Sequence, residues 1–399
     1  MVARPGPVAG RDNPGLRTPN SCASVSLGLY IHIPFCASKC PYCDFASVAG
    51  KEHLSSRYVD AVVREILGRA GRASPGRVRF DSIYFGGGTP TSLAASEVER
   101  ILNAVASTAG WASGAEITVE ANPARSDAEK FEDLRRLGVN RLSIGLQSFD
   151  DGELRFLGRA HTSEEGVRAY TLGREAGFDN VNLDLIFAIP GQTEAVWQSH
   201  LNRMIQLGPE HASVYNLTIE QGTEFGRLHR LGRMSLPPEA TQGTLYRMAI
   251  ESLTGAGYRH YEISNFARPG HPSSHNLGYW NGSEYLGVGV SAHSFLNGQR
   301  SWNARGLTDY IERIECGGTA TVGQEMLSPA ERRSEGILLG LRWVDEGVEA
   351  APLLKDPGTR RRLGRLIERD LLERVNGRMR LTRKGLMVAD AVILEVVSA

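Results

Sequence analysis

Between residues 27 and 219 one unit recurs: a short β-branched or aromatic run, a loop, then a helical pattern. The candidate strands are residues 27–35 (LGLYIHIPF), 81–87, 115–122, 140–148, 180–189 and 211–219. Between them lie stretches such as SSRYVDAVVREILGRA and AASEVERILNAVAS, where apolar residues return three and four apart. Each such stretch starts near Ser, Thr or Asp, the residues that cap helix N-termini. Strands alternating with helices predict a parallel sheet with helices outside. Five or six copies suit an α/β barrel better than a doubly wound sheet, so the expected fold class is α/β, a partial (β/α)6-type barrel. In either fold, chemistry gathers at the C-terminal ends of the strands.

The pattern then changes. Residues 237–258 read as one more helix and 261–267 as a short strand. The expected organisation is a flexible Pro/Gly-rich tail (1–26), the barrel (27–267), a polar aromatic linker (268–326) and a C-terminal domain (327–399). That last domain reads as mainly helical and winged-helix-like, because SPAERRSEGILLGLR and TRRRLGRLIERDLLERV look helical and GRMRLTRKG looks like a strand or turn.

Charge and composition remove several function classes. Lys+Arg and Asp+Glu balance at 45 each, so no global field draws the chain to nucleic acid or an anionic membrane. No apolar run approaches the roughly 18 residues a membrane-spanning helix needs. The first residues lack the apolar core of a secretory signal, and a cytoplasmic location is expected. Five cysteines form no even disulfide framework.

Three of those cysteines fall within eight residues, as Cys36-x-x-x-Cys40-x-x-Cys43, directly after the first candidate strand. Three thiolates on one tight loop can hold three corners of an iron–sulfur cube that ordinarily takes four. The fourth iron is then open to the amino and carboxylate groups of S-adenosylmethionine, whose sulfonium a reduced cluster can cleave to a 5′-deoxyadenosyl radical. The competing reading is zinc, which prefers four ligands in C-x2-C pairs. Cys22 and Cys316 supply no convincing second pair.

The cysteine spacing, with aromatic Tyr42 before the third, resembles the radical S-adenosylmethionine (SAM) superfamily. YIHIPFCASKCPYCDF, GGGTPT (86–91), VEANP (119–123), GLQSF (145–149) and DLIFAIPG (184–191) resemble one branch of it. That branch contains the oxygen-independent coproporphyrinogen III dehydrogenases and their haem-chaperone relatives of the HemW type. The resemblance implies a [4Fe–4S] cluster on Cys36, Cys40 and Cys43 and an S-adenosylmethionine site made by Tyr30, Tyr42, Gly87, Gly88, Thr89, Glu120, Gln147, Arg159 and Asp184. Gly87, Gly88 and Thr89 also read as a turn bare enough for backbone groups to approach a charged ligand. Glu120 and Gln147 could meet ammonium or ribose hydroxyls, and Tyr42 could cover the adenine.

Two departures separate the readings within that branch. The dehydrogenases carry a fourth cysteine two residues after the third, where this sequence has Phe45. They also have a longer ordered N-terminal segment. Downstream, HNLGYW (275–280) matches the HNxxYW motif of the haem chaperones, which implies haem as cargo and His275 as its contact. A neutral imidazole can ligate haem iron, and Tyr279 and Trp280 offer flat area to a porphyrin. The alternative role of His275 is to tether this loop to the barrel; His293 and Cys316 are the other ligand-type residues nearby. The resemblance therefore implies a haem chaperone whose partners are haem and acceptor haemoproteins such as those of the respiratory chain, with a homodimer and peripheral membrane contact as further expectations. The alternative is the dehydrogenase, which converts propionates to vinyls. Residues 359–385 hold ten Lys/Arg against three acids, a nucleic-acid feature in other settings, but the neutral chain favours a solvated, ion-paired face, and no nucleic-acid partner is expected.

Overall fold

The structure, a computed structural model, describes residues 27–73 and 79–397. The tail expected at 1–26 lies outside the described residues. The strands in chain order are β1 (Leu27–Ile33), β2 (Phe35–Cys36), β3 (Val48–Ala49), β4 (Phe80–Gly87), β5 (Trp111–Ala121), β6 (Arg141–Gln147), β7 (Val181–Phe187), β8 (His211–Asn216), β9 (Arg259–His260), β10 (Asn265–Ala267), β11 (Glu284–Val288), β12 (His293–Leu296), β13 (Gln299–Asn303) and β14 (Thr321–Met326). All but β2 and β3 form one sheet in the order β14-β13-β12-β11-β1-β4-β5-β6-β7-β8-β10-β9. The run from β11 to β8 is parallel; the strands beyond it at either end are antiparallel.

The six expected strands are β1 and β4 to β8, linked by helices Ser55–Ala73, Ala95–Thr108, Ala128–Arg136, Ser163–Glu175 and Glu194–Leu207. Asp127, Thr162 and Thr193 cap three of these helices through their side chains. Helix Ala95–Thr108 starts instead at Ala94, whose backbone N–H donates to Glu97 at 3.1 Å.

The two faces of the strands differ in kind. On β1, Leu27, Leu29, Ile31 and Ile33 are buried in the apolar layer. Burial of each such side chain stabilises the fold by about 1.5–3 kcal/mol. The alternate residues, Gly28, Tyr30 and His32, belong to a polar inner face. Ser82, Tyr84, Glu116, Glu120, Arg141, Ser143, Asn182, Asp184, His211 and Ser213 continue that face across β4 to β8. They are joined to one another or to neighbouring loops by hydrogen bonds such as Asn182 Nδ2 to Ser143 at 2.8 Å and Ser213 to Asn182 at 3.0 Å. A polar barrel interior holds its groups only when they are paired.

Residues 268–326 are not a linker. Their segment β11 pairs with β1 as a seventh parallel strand, and β12 to β14 extend the same sheet. Buried Glu65 on helix Ser55–Ala73 stitches the region in place. It accepts from Gly289 N (2.9 Å), Asn303 Nδ2 (2.8 Å) and the Tyr310 hydroxyl (2.7 Å), and pairs with Arg69. EYLGV is short and its partner is the first strand of the chain, so nothing local in the sequence announces the pairing. The strand expected at 261–267 is confined to Asn265–Ala267.

At the C-terminal end, helices Pro329–Gly340, Pro357–Glu368 and Ala389–Val397 pack with a three-stranded antiparallel sheet of β15 (Val348–Glu349), β17 (Arg378–Leu381) and β16 (Leu372–Val375). The helix expected through residue 375 stops at Glu368, because Asp370 turns with φ +58° and Leu372–Val375 joins the sheet. Several of the basic residues here are held by neighbours: Arg365 and Arg369 by Glu395, Arg378 by Glu346, Arg380 by Glu373. Among the described residues no helix is long and apolar enough to cross a membrane.

Candidate cluster and cofactor site

The cysteine loop leaves β1 at the C-terminal edge of the parallel strands. The β2–β3 pairing pinches its base, with Val48 N donating to Pro34 O at 2.8 Å. Inside the loop, Cys43 N donates to Cys40 O at 3.1 Å. His32 ties it to the barrel: its Nε2 donates to Ala46 O at 3.0 Å, so Nδ1 accepts from the Tyr30 hydroxyl, also at 3.0 Å. Burial lowers the His32 pKa to about 4, which keeps the ring neutral in that role.

Cys36, Cys40 and Cys43 are free thiols on the wall of a cavity of about 560 Å3. The Thr89 hydroxyl donates to Cys36 Sγ at 3.6 Å, and Arg159 Nη1 donates to Cys40 Sγ at 3.7 Å. Burial pushes the Cys36 and Cys43 thiols up, so loading a metal centre must displace protons from them. Among the described residues no three His, Cys, Asp or Glu side chains gather around a point as one metal ion requires. Three thiols on one cavity wall match three irons of a cluster and fall one short of the four ligands a structural zinc site takes.

Tyr42, Gly87, Gly88, Thr89, Glu120, Gln147, Arg159 and Asp184 line this same cavity. Glu120, on β5, accepts from the Tyr84 hydroxyl at 2.9 Å and from Gly87 N at 3.1 Å. Burial, partly offset by the Tyr84 bond, raises its pKa to about 7. Asp184 is likewise pushed up by burial, with Asn182 Nδ2 donating to it at 2.7 Å. Arg159 Nη2 reaches Gly145 O at 2.7 Å. Gln147 takes φ +72°, a backbone state costly for a non-glycine residue, at the end of β6.

Two sequence expectations need correction, and a third gains detail. Tyr30 does not line this cavity; it shares a face of β1 with His32 and turns toward a second cavity, stacked on Tyr84 and His275. The Gly87–Thr89 turn lines the cavity as expected, but with its N–H groups already bonded. Gly87 N is bonded to Glu120, Gly88 N to Ile33 O and Thr89 N to Phe35 O. Its glycines are needed for packing: a Cβ on Gly87 would stand 2.5 Å from the His32 ring, and one on Gly88 2.8 Å from the Pro34 carbonyl.

The second correction concerns His275, the expected haem contact. It is only 4% exposed, with Nδ1 2.9 Å from Ser82 Oγ and Nε2 3.0 Å from the Tyr279 hydroxyl. Both ring nitrogens are engaged. Its helix, Ser274–Trp280, is capped by Ser273 and anchored by buried Glu116, which accepts from Ser274 N and His275 N. Gly28 and Ser82, against which the His275 ring packs, lie in register near the starts of β1 and β4, whereas the cysteine loop leaves the other end of β1. The tether reading of HNLGYW is the one this geometry fits.

The site also includes residues that the sequence did not single out. Ser143 on β6 and Tyr215 and Asn216 at the end of β8 line the cluster cavity. For Tyr215 and Asn216 the position at a strand end was the available signal; Ser143, third in β6, gave none. Asp44 and Phe45 line both this cavity and the second one, so the residue after the third cysteine and the next form a shared wall.

A parallel α/β barrel carrying three loop cysteines at its C-terminal edge is the architecture of a radical SAM protein, and the radical SAM superfamily matches residues 30–204. The chain is 38% identical to haem chaperone HemW of Synechocystis over 81% of its own length and 79% of that protein. It is 37% identical to HemW of Bacillus subtilis, covering 78% of this chain and 82% of that one. The chain belongs to the HemW family of haem chaperones. Its fold is similar to that of the Escherichia coli coproporphyrinogen III oxidase HemN, a radical SAM enzyme, with TM-score 0.82 at 25% identity over 94% of this chain and 90% of that one.

Proposed function

We propose that this protein binds haem and passes it to acceptor haemoproteins, while Cys36, Cys40 and Cys43 hold a [4Fe–4S] cluster whose open iron takes S-adenosylmethionine. The observation that carries the reading is Phe45. It stands 65% exposed on the wall shared by the cluster cavity and its neighbour, where the related dehydrogenases have a fourth cysteine. A phenyl ring there offers apolar area and no thiol.

The residues fit the cofactors. Gln147 Oε1 and Arg159 Nε, both at the cavity, are buried without hydrogen-bond partners, as atoms awaiting a polar ligand would be. Glu120 is a buried carboxylate held high in pKa, and the ammonium of a methionine moiety supplies the cation it lacks. When bound, the cluster and S-adenosylmethionine supply one-electron and radical chemistry. The chain does the rest. Its three cysteines would hold the cluster as thiolates, Arg159 and Thr89 donate toward two of the sulfurs, and Tyr42 closes one side of the cavity. Glu120 is about half protonated near neutral pH when the cavity is empty, and a cation bound there would favour its ionised form. In a carrier this site serves dimerisation, regulation or reductive release of cargo rather than turnover of a porphyrinogen.

The test is a paired assay on anaerobically reconstituted protein. One sample receives coproporphyrinogen III, S-adenosylmethionine and a reductant; the other is titrated with haem. A Soret shift with slow haem loss and no decarboxylation supports the carrier. Protoporphyrinogen formed at enzymatic rates overturns it in favour of the dehydrogenase.

A further inference from the structure

The second cavity, about 420 Å3, opens beside the cluster cavity and is walled by Phe45, Tyr279, Tyr285, His293 and Arg305. Its volume falls within the roughly 300–1,000 Å3 of cofactor pockets. Two histidines reach it. His32 has both ring nitrogens bonded, as described above. His293, at the start of β12, is exposed, and among the described residues neither of its ring nitrogens has a hydrogen-bond partner. Its ring lies against Trp302, the residue paired with it on β13, with centroids 6.0 Å apart and planes at 27°. The imidazole is thus backed by an indole, and its nitrogens are unused.

We infer that this cavity seats haem, with His293 as the axial ligand, Tyr279 and Tyr285 as the aromatic wall and Arg305 as the partner of a propionate. The inference rests on the haem-carrier reading and locates its cargo. A planar macrocycle with two carboxylates at one edge needs flat apolar area, one iron ligand and a cation near the rim. Tyr279 and Tyr285 meet edge to face at 4.8 Å, and Phe45 adds a ring from the cysteine loop. Arg305 is largely exposed and held only loosely to Asp44, at 3.4 Å, so a propionate can compete for it. Partial desolvation at the cavity wall, with the Arg300 charge, lowers the His293 pKa from its ordinary value, which favours the neutral ring with a free lone pair. The assignment also explains HNLGYW: His275 is not the ligand but fixes Tyr279, whose hydroxyl it holds.

The experiment is a haem titration of the full, cluster-loaded chain, read by the Soret band, with three variants. His293→Ala should abolish the ligand-specific Soret position and weaken binding by at least about tenfold, since even outer-shell partners of a metal ligand carry that much affinity. Added imidazole should restore the band. His293→Met, which keeps bulk and offers a thioether, should bind haem with a shifted spectrum, which separates loss of the ligand from loss of the fold. Arg305→Ala should erase the preference for haem over its dimethyl ester. Unchanged affinity and Soret position in His293→Ala overturns this assignment alone. Absence of any shift in the unaltered protein overturns it together with the carrier reading.

Discussion

Glu120 on β5 and Tyr84 on β4 share a hydrogen bond of 2.9 Å inside the barrel, with the second Glu120 oxygen closed onto Gly87 N. This carboxylate therefore joins the GGGTP turn to the polar interior, and it does so without a cation in hydrogen-bond reach. Its pKa of about 7 in the fold exceeds the ordinary 4.5. Its favourable contribution is complete below about pH 4.5 and is lost as pH rises through 7. In the cofactor-free protein, Glu120→Gln should therefore gain Tm relative to the parent as pH goes from 5 to 8. S-adenosylmethionine should raise the parent's Tm more than the variant's. A Tm difference that does not vary with pH would contradict this assignment.

Gly87 and Gly138 both have positive φ, +112° and +92°, but only Gly87 is crowded. Alanine at either costs roughly 1–3 kcal/mol in backbone strain. At Gly87 its methyl would also strike the His32 ring, displacing the residue that holds the cysteine loop. Gly87→Ala should thus lower both Tm and the iron content after reconstitution. Gly138→Ala should lower Tm and leave iron content unchanged.

His275 is buried neutral, and burial followed by the Arg141 charge lowers its pKa to about 3. Its contribution to stability is present above pH 6.5 and fades as pH falls toward 3. His275→Asn should cost about 1–3 kcal/mol at pH 7 through lost hydrogen bonds to Ser82 and Tyr279. The gap between parent and variant in denaturant melts should narrow as pH drops from 7 to 4. Haem should bind more weakly, through a loosened Tyr279, with its Soret maximum unmoved.

Arg141 and Glu116 are both buried, with Nε and Oε2 4.0 Å apart, and Glu116 also anchors the His275 helix. Arg141→Met leaves the carboxylate without its counter-charge and should cost on the order of 3–5 kcal/mol. Adding Glu116→Gln to that variant should recover part of the loss. Strict additivity of the two losses in chemical denaturation would show that the groups do not couple.

Much of this was legible in the sequence, for local reasons. Strand–loop–helix repetition gave β1 and β4 to β8, and the cysteine spacing marked the loop that follows β1. Glu120 and Gln147 stood out through the family resemblance and their places at strand ends; Asp184, in mid-strand, stood out through the resemblance alone. What stayed hidden depends on long-range pairing. The β11–β1 contact joins residues more than 250 positions apart, so the segment containing it read as a linker. Side-chain direction was hidden too. Tyr30 and His32 alternate away from Ile31 and Ile33, and only the assembled sheet reveals which cavity that face meets. The motif around His275 was visible, but its ring nitrogens were already committed to Ser82 and Tyr279, which no spacing rule discloses.

The central claim, that this barrel carries haem for others, is tested most directly by transfer. Haem-loaded protein is mixed with an apo b-type cytochrome, and the acceptor's spectrum is followed with time. The expected result is full-spectrum acquisition of haem by the acceptor, faster than from a non-specific haem binder such as serum albumin. Haem that stays on this protein, or reaches the acceptor only at the rate of free haem release, would contradict the account.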